Sequence, residues 1–144
     1  FNLLLGERTA EKIKIELGAA IAQPVPRERP MRGRDLVTGL PKEVVINDEQ
    51  VRLALGKSIL AVVTAVRETL EETPPELVAD IMERGVVLAG GGALMKDLDK
   101  LISQETQTKV YLAEDPLTAV VRGAGVVLEE LEALENVLLS SALK

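Results

Sequence analysis

Three consecutive glycines, Gly90, Gly91 and Gly92, follow an apolar run that begins at Val86 and lead into a helical pattern from Ala93. Glycine lacks a Cβ, so the backbone can turn sharply there and a ligand can approach it within contact distance. The first amides of a following helix are unpaired donors, which suit an oxygen-rich ligand such as a ribose or a phosphate. Ligands also tend to bind at the carboxyl ends of strands in α/β sheets. The segment therefore predicts a ligand-binding turn, although a tight strand-to-helix turn without a ligand would use the same residues.

The composition excludes several kinds of chemistry. The 144 residues include no cysteine and no histidine. Disulfides, thiolate or histidine metal sites and Ser-His-Asp or Cys-His catalysis are therefore excluded. The net charge of −6 argues against nucleic acid as a main partner. No segment has the roughly 18 uninterrupted apolar residues of a membrane span, and the start lacks the basic leader of a signal peptide. Because the chain starts with Phe1 rather than Met, we expect a piece of a longer sequence.

The glycine turn must be held by the elements around it. Thr73, Pro74 and Glu76 have the pattern of a capping box with proline at the first helical position, which predicts a helix that ends at Gly85. A strand should then lead to the glycines, followed by a helix over about 93–103. These elements would fix both ends of the turn.

The pattern continues with a second strand and a last helix. A strand is predicted over 109–113, and two strands joined through a helix should be parallel. Because parallel sheets normally contain more strands, a partner or a larger domain should supply the others. Asp115-Pro116 should start a last long helix, in which Gly123 and Gly125 predict the close approach of another backbone.

The amino-terminal half predicts a helix, a hairpin and a second helix. Thr9 should cap a helix over 10–17 that ends at Gly18. Strands are predicted over 31–37 and 42–46. The turn Thr38-Gly-Leu-Pro41 between them favours an antiparallel pair.

A long helix should begin at Asn47-Asp48 and reach about Glu72, because its apolar residues follow a three-four spacing. Leu53, Leu60 and Val63 add apolar surface on other faces, which predicts a middle that is buried on several sides.

Five segments share the order and spacing of a known family: Asn2–Lys14, Arg32–Pro41, Thr73–Met82, Leu88–Leu94 and Ala113–Leu117. On these segments the chain resembles the bacterial actin family MreB, over nearly its whole length but only over the carboxyl-terminal part of an MreB. The resemblance implies an α/β fragment of the actin-like (ribonuclease H-like) ATPase fold, a partial sheet with flanking helices plus a small α+β subdomain. Residues 19–70 would form most of the small subdomain. Residues 1–18 and 71–144 would form part of the large nucleotide-binding subdomain.

The resemblance also implies a function. MreB proteins are ATP-binding cytoskeletal proteins of the cytoplasm that form filaments at the inner face of the cytoplasmic membrane. They organise peptidoglycan synthesis and rod cell shape, and ATP or ADP lies in a cleft between two halves of the molecule. The small subdomain would contact the next subunit of the filament, and the large one a RodZ-like membrane-anchored partner.

Two stretches match the adenosine pocket of that family: Ala10, Glu11, Lys12 and Ile13, and Gly90, Gly91, Gly92 and Ala93. The carboxylate of Glu11 suits the ribose hydroxyls, and the apolar stem of Lys12 can lie along the adenine. Residues 93–95 could form a wall beside the base. Without the resemblance, Glu11 would be a first-turn residue that favours the helix dipole, and Lys12 a surface lysine.

Other parts of the family's machinery have no counterpart in the sequence. These are the phosphate-binding hairpins, the acid that anchors Mg²⁺, the residues that position the attacking water and the membrane-inserting segments. No Gly-rich P-loop replaces them. We therefore assign no catalytic residue and no metal ligand, and expect ATP hydrolysis and membrane association to depend on residues outside the chain. The alternative is a non-catalytic partner-binding module whose glycine turn binds no nucleotide.

Overall fold

The computed structural model of the protein describes residues 1–131, in which strands alternate with helices. In chain order the elements are β1 (Leu3–Leu4), α1 (Glu7–Leu17), β2 (Glu28–Asp35), β3 (Pro41–Asn47), α2 (Asp48–Glu71), α3 (Pro75–Arg84), β4 (Val86–Leu88), a 3₁₀ turn (Gly91–Leu94), α4 (Leu98–Thr106), β5 (Val110–Leu112) and α5 (Ala119–Glu129).

The first three strands form one antiparallel sheet in the order β1-β2-β3. β2 and β3 make the predicted hairpin, with Glu28 opposite Asn47 and Arg34 opposite Pro41. β2 begins three residues before the strand predicted over 31–37. β1 pairs with β2, and it was not predicted because two residues are too few to show an alternation.

α1 begins earlier than the sequence indicated. Its N-cap is Gly6, whose carbonyl accepts hydrogen bonds from the amides of Thr9 and Ala10. Thr9 therefore lies inside the first turn, and the prediction that it caps the helix is wrong. The end of α1 is as predicted, since Gly18 follows its last residue and donates its N–H to the carbonyl of Lys14.

α2 starts where predicted, at the capping box that Asn47 forms with Gln50. The backbone N–H of Gln50 donates to Asn47 Oδ1 at 2.9 Å, and the backbone N–H of Asn47 donates to Gln50 Oε1 at 3.1 Å. Val63 is buried, but Leu53 and Leu60 are 65% and 64% exposed. The prediction of a middle buried on several sides is therefore wrong for this face of α2.

The main core lies between α2 and α4. It consists of Ile59 and Val63 from α2 with Leu98 and Ile102 from α4, and Ile102 is completely buried. This contact places α4, and with it the end of the glycine turn, against the middle of α2.

α3 begins at Pro75, with Pro74 as its N-cap. The predicted capping box is wrong, because the Thr73 hydroxyl donates to the carbonyl of Thr69 in the last turn of α2 and does not cap α3. The helix ends before Gly85, as predicted.

β4 and β5 are parallel, as predicted, with Val86 opposite Val110. The glycines do not open a helix at 93, because the 3₁₀ turn comes first and α4 begins only at Leu98. α5 likewise begins at Ala119 rather than at 115.

The prediction for the glycines of the last helix is wrong for the described residues, and the predicted subdomains are not tested by the structure. A Cβ placed on Gly123 or Gly125 would meet no other atom within 4 Å, so the predicted close backbone approach is absent within residues 1–131. Whatever part of the last helix was predicted beyond residue 131 lies outside the described residues. The division into a large and a small subdomain stays a prediction. No helix within residues 1–131 is long and apolar enough to cross a membrane.

Candidate functional site

A hollow of about 500 Å³ lies between α1 and the glycine turn. Its lining comes from α1 and its end (Glu11, Lys14, Ile15, Gly18), from the glycine turn and the residues after it (Gly91, Gly92, Leu94, Met95, Lys96), and from Arg27 and Leu117. This volume lies within the range of small-ligand pockets, which is about 300–1,000 Å³.

The wall formed by α1 carries an exposed ion pair. Glu11 Oε2 lies 2.7 Å from Lys14 Nζ, one helical turn further along the same face. Ion pairs on the surface stabilise a fold little, because water screens them. The Glu11 carboxylate is therefore available to hydroxyl donors of a ligand without a large loss of stability.

Part of the opposite wall is bare backbone, at Gly91 and Gly92. Gly90, which precedes this wall, has a left-handed φ of 85°, and its N–H donates to the carbonyl of Pro116. A Cβ on Gly92 would meet no atom within 4 Å, and one on Gly91 would meet only Leu117, at 3.5 Å. Packing within the described residues therefore gives no reason for glycine at 91 and 92. A ligand that approaches the backbone closely would give one.

The structure brings together only some of the residues predicted to bind nucleotide. Glu11, Gly91 and Gly92 line the same hollow, whereas Lys12 and Gly90 are not part of its lining. The others face apolar hollows elsewhere: Ala10 and Ile13 one between α1, the three-stranded sheet and α2, and Ala93 one between α2 and α4.

Three cationic residues of the hollow were not predicted from the sequence: Lys14, Arg27 and Lys96. Lys14 could have been found, because it lies three residues after Glu11 in a helix. Arg27 lies in a proline-rich segment without periodicity, and Lys96 follows the 3₁₀ turn that the sequence did not predict. The three cations share the hollow with one carboxylate, Glu11, in a chain whose net charge is −6. The hollow thus favours an anionic ligand.

The guanidinium of Arg27 is only partly hydrogen-bonded among the described residues. Its Nη1 donates to the carbonyl of Glu16 at 2.9 Å, in the last turn of α1. Its Nε and Nη2 are buried without a hydrogen-bond partner among the described residues. Buried donors without partners are rare in proteins, so these two nitrogens are an unsatisfied polar position beside the hollow.

The described residues offer no site of this kind for a metal ion. Within residues 1–131, no three side chains of histidine, cysteine, aspartate or glutamate come together in a way that could hold a metal ion.

Comparison with known sequences identifies relatives over most of the chain. The profile of the family described as MreB/Mbl protein matches residues 1–136. The cell shape-determining protein Mbl of Bacillus subtilis (strain 168) is 44% identical over 134 residues, which are 93% of this chain and 40% of Mbl. The cell shape-determining protein MreB of Escherichia coli (strain K12) is 46% identical over 132 residues, 92% of this chain and 38% of that protein. The chain therefore spans about 40% of the length of these curated relatives.

Solved structures agree with the sequence relatives. MreB5 of Spiroplasma citri bound to ADP superposes with a TM-score of 0.86 at 36% identity, over 94% of this chain and 41% of that one. The filament structure of MamK, described as a double helical filament, superposes with a TM-score of 0.70 at 20% identity, over 89% of this chain and 39% of MamK. These likenesses confirm the predicted fold class, an actin-like α/β fold.

Proposed function

The chain belongs to the MreB/Mbl protein family, and from this premise we propose that it is part of an ATP-binding, filament-forming cytoskeletal protein. That protein would organise cell-wall synthesis and rod cell shape. The chain itself would contribute the adenosine half of the nucleotide site, with Glu11 on one side of ATP or ADP and Gly91 and Gly92 on the other.

The observation that carries this proposal is the hollow that Glu11 shares with Gly91 and Gly92. Glu11 lies 80 positions before Gly91 in the sequence, yet it shares with the two glycines one space that could hold a nucleoside. The carboxylate can accept hydrogen bonds from two ribose hydroxyls, while bare backbone lets the sugar approach from the other side. The MreB5 structures with ADP and AMPPNP support nucleotide as the ligand.

The cationic residues of the hollow extend this assignment. Lys14, Arg27 and Lys96 would raise the local concentration of an anionic nucleotide by electrostatic attraction. Phosphoryl transfer depends on positioning and on stabilisation of the phosphates, for which we assign no residue of this chain. ATP hydrolysis, and any Mg²⁺ that it needs, would therefore depend on residues outside the chain.

The test uses a hybrid in which this chain replaces the matching segment of Bacillus subtilis Mbl. We expect ADP to bind the hybrid in a calorimetric titration, and the double change Glu11→Ala with Gly91→Val to reduce its affinity at least a hundredfold. The reason is that one change removes the ribose acceptor and the other fills the space beside the backbone.

A matched control changes the same residue types elsewhere. Glu68→Ala with Gly56→Val lies on the exposed part of α2, where a Cβ on Gly56 meets no other atom. This control should bind ADP as tightly as the parent hybrid. Equal ADP affinity of the Glu11/Gly91 variant and the control would overturn the proposal. It would favour the alternative, a partner-binding module whose glycine turn binds no nucleotide, for which the exposed Leu53 and Leu60 offer a surface.

We propose self-association as the second property of the protein. The tip of the β2–β3 hairpin presents three large apolar side chains to solvent, Leu36, Val37 and Leu40, which are 61%, 79% and 64% exposed. Exposed apolar groups on an ordered turn are typical of interaction sites. The filament of the structural neighbour MamK supports a second copy of the protein as the partner.

Membership of the family supports a proposal for the location and the remaining partners. We propose that the protein lies in the cytoplasm at the inner face of the cytoplasmic membrane. A RodZ-like membrane-anchored partner and segments outside this chain would hold it there. The net charge of −6 supports the proposal that nucleic acid is not a partner.

A further inference from the structure

The segment that leaves α1 is bound to the segment that enters α4. Ala19 and Lys96 form an isolated parallel bridge, and the Ala20 amide donates to the Lys96 carbonyl at 2.8 Å. Next to this bridge, Gln23 Nε2 donates to Asp97 Oδ2 at 2.7 Å. The same Gln23 amide group also donates to the carbonyl of Ile21 at 3.0 Å, which fixes its orientation.

These contacts lie directly behind the two walls of the hollow. Gly18, the last residue of the α1 wall, immediately precedes Ala19, and Lys96 is both part of the bridge and part of the glycine-turn wall. The distance between the walls therefore depends on how firmly residues 19–23 are held against residues 96 and 97.

Asp97 is held in a conformation that a residue with a side chain rarely adopts. Its φ is 60°, in the left-handed region, which aspartate adopts as a single residue where its short side chain finds hydrogen bonds. Lys100 Nζ lies 2.6 Å from Asp97 Oδ1, while Gln23 occupies the other oxygen. The hydrogen bond from Lys100, and after it the one from Gln23, lowers the pKa of Asp97, so this carboxylate is ionised at neutral pH.

We propose that the Gln23–Asp97 hydrogen bond is a clasp that sets the spacing between the α1 wall and the glycine-turn wall of the hollow. Gln23 and Asp97 do not line the hollow, so they are positioning residues and not ligands of the nucleotide. Without the clasp the backbone contacts of Lys96 with Ala19 and Ala20 hold the walls less firmly, so the walls separate more often, and a nucleotide must bring them together again when it binds. Its affinity falls accordingly. This inference rests on the nucleotide site proposed above.

The test is a double-mutant cycle in the hybrid. Gln23→Glu places two carboxylates in contact, and we expect it to weaken ADP binding about tenfold. Asp97→Asn keeps one acceptor oxygen, which can face Gln23 because the exposed Lys100 ammonium can turn to solvent, and this variant should bind ADP nearly as the parent does. In the double variant Gln23→Glu/Asp97→Asn the amide of Asn donates to the carboxylate of Glu, so we expect the affinity to return to within about twofold of the parent.

A second readout does not depend on nucleotide. The Ala20 amide is hydrogen-bonded to the Lys96 carbonyl next to the clasp, so its hydrogen exchange in the 144-residue chain should become about tenfold faster in Gln23→Glu and return to normal in the double variant. Gln107→Glu is the matched control. It also removes a side-chain amide hydrogen bond, from Gln107 Nε2 to the Gln104 carbonyl, at a place remote from the hollow.

The outcomes distinguish a failure of the proposed clasp from a failure of the proposed nucleotide site. Unchanged Ala20 exchange in folded Gln23→Glu overturns the clasp, whether or not ADP binds. Faster exchange with unchanged ADP affinity also overturns it, because the spacing would then not affect binding. A hybrid that binds no ADP, with or without Gln107→Glu, refutes the proposed function instead, and the exchange measurement still decides whether the clasp joins the two segments.

Discussion

Gly85, which follows the last residue of α3, has a backbone conformation that favours glycine. Its φ is 83°, and an added Cβ would lie 2.7 Å from the Lys109 carbonyl oxygen and from the Tyr111 ring. We expect Gly85→Ala to lower the free energy of unfolding by about 2 kcal/mol, because it combines backbone strain with a clash. Gly56 is the matched position, since it lies inside α2 with open space around it.

Gly56→Ala should raise the free energy of unfolding by about 0.5–1 kcal/mol, through helix propensity alone. Urea unfolding of the 144-residue chain and both variants measures this pair. A Gly85→Ala variant as stable as Gly56→Ala would show that the positive φ and the contact with β5 do not constrain residue 85.

Asp35 in the β2–β3 hairpin should make the stability of the fold depend on pH. The hydrogen bond from Lys42, followed by those from the Val37 and Thr38 amides, lowers its pKa to about 2. Because an unfolded aspartate titrates near 3.9, the ionised Asp35 stabilises the fold above about pH 4, and this stabilisation is lost as the pH falls toward 2. Asp35→Asn keeps the acceptor oxygen for the turn but has no charge.

We therefore expect Asp35→Asn to be less stable than the parent chain at pH 7, and the difference to shrink between pH 4 and pH 2. Urea unfolding at a series of pH values measures it. If the difference is as large at pH 2 as at pH 7, the charge of Asp35 is not its cause.

Among the elements, the β2–β3 hairpin provides the surface proposed for self-association. Val37→Asp places a charge on its exposed tip, and we expect the hybrid with this change to stop sedimenting as filaments in the presence of ATP. Val25→Asp is the control, because Val25 is similarly exposed, at 71%, but lies in the loop before β2. Equal sedimentation of the two variants would show that the hairpin tip makes no filament contact.

The elements also show what a sequence can predict and what it cannot. The start of α2 and the ends of α1 and α3 were predicted because their signals act locally. Asn47 caps α2, the Gly18 backbone lies against the Lys14 carbonyl, and Gly85 has a positive φ. The start of α3 was not, since the hydroxyl of Thr73 had a competing partner in the preceding helix. The 3₁₀ turn was missed because an apolar pattern does not distinguish it from the first turn of a helix.

For the candidate site, the residue types were predictable and their directions were not. Glu11 and the glycines could be identified from the resemblance to a family, but Ala10 and Ile13 lie on the side of α1 that faces the sheet and α2. Arg27 reaches the hollow from a loop whose path depends on tertiary contacts. No periodicity in the sequence records such a path.

At the scale of the whole molecule, many apolar side chains of the carboxyl-terminal half are exposed. Val87 and Tyr111, opposite each other in β4 and β5, are 62% and 48% exposed, and Val120 of α5 is 75% exposed. Parallel sheets normally have more strands and are covered on both faces. Since the chain spans about 40% of its relatives' length, the hybrid with Mbl is the suitable molecule for testing nucleotide binding.

The most direct measurement follows the glycine amides of this chain by NMR while ADP is added to the hybrid. This chain has 11 glycines, and labelling only its segment with ¹⁵N-glycine gives a signal for each one. We predict that Gly91, Gly92 and Gly18 shift with a common dissociation constant, while Gly39 and Gly56, which lie outside the hollow, do not move. Unchanged signals of Gly91 and Gly92 at saturating ADP would contradict the assignment of the hollow as the nucleotide site.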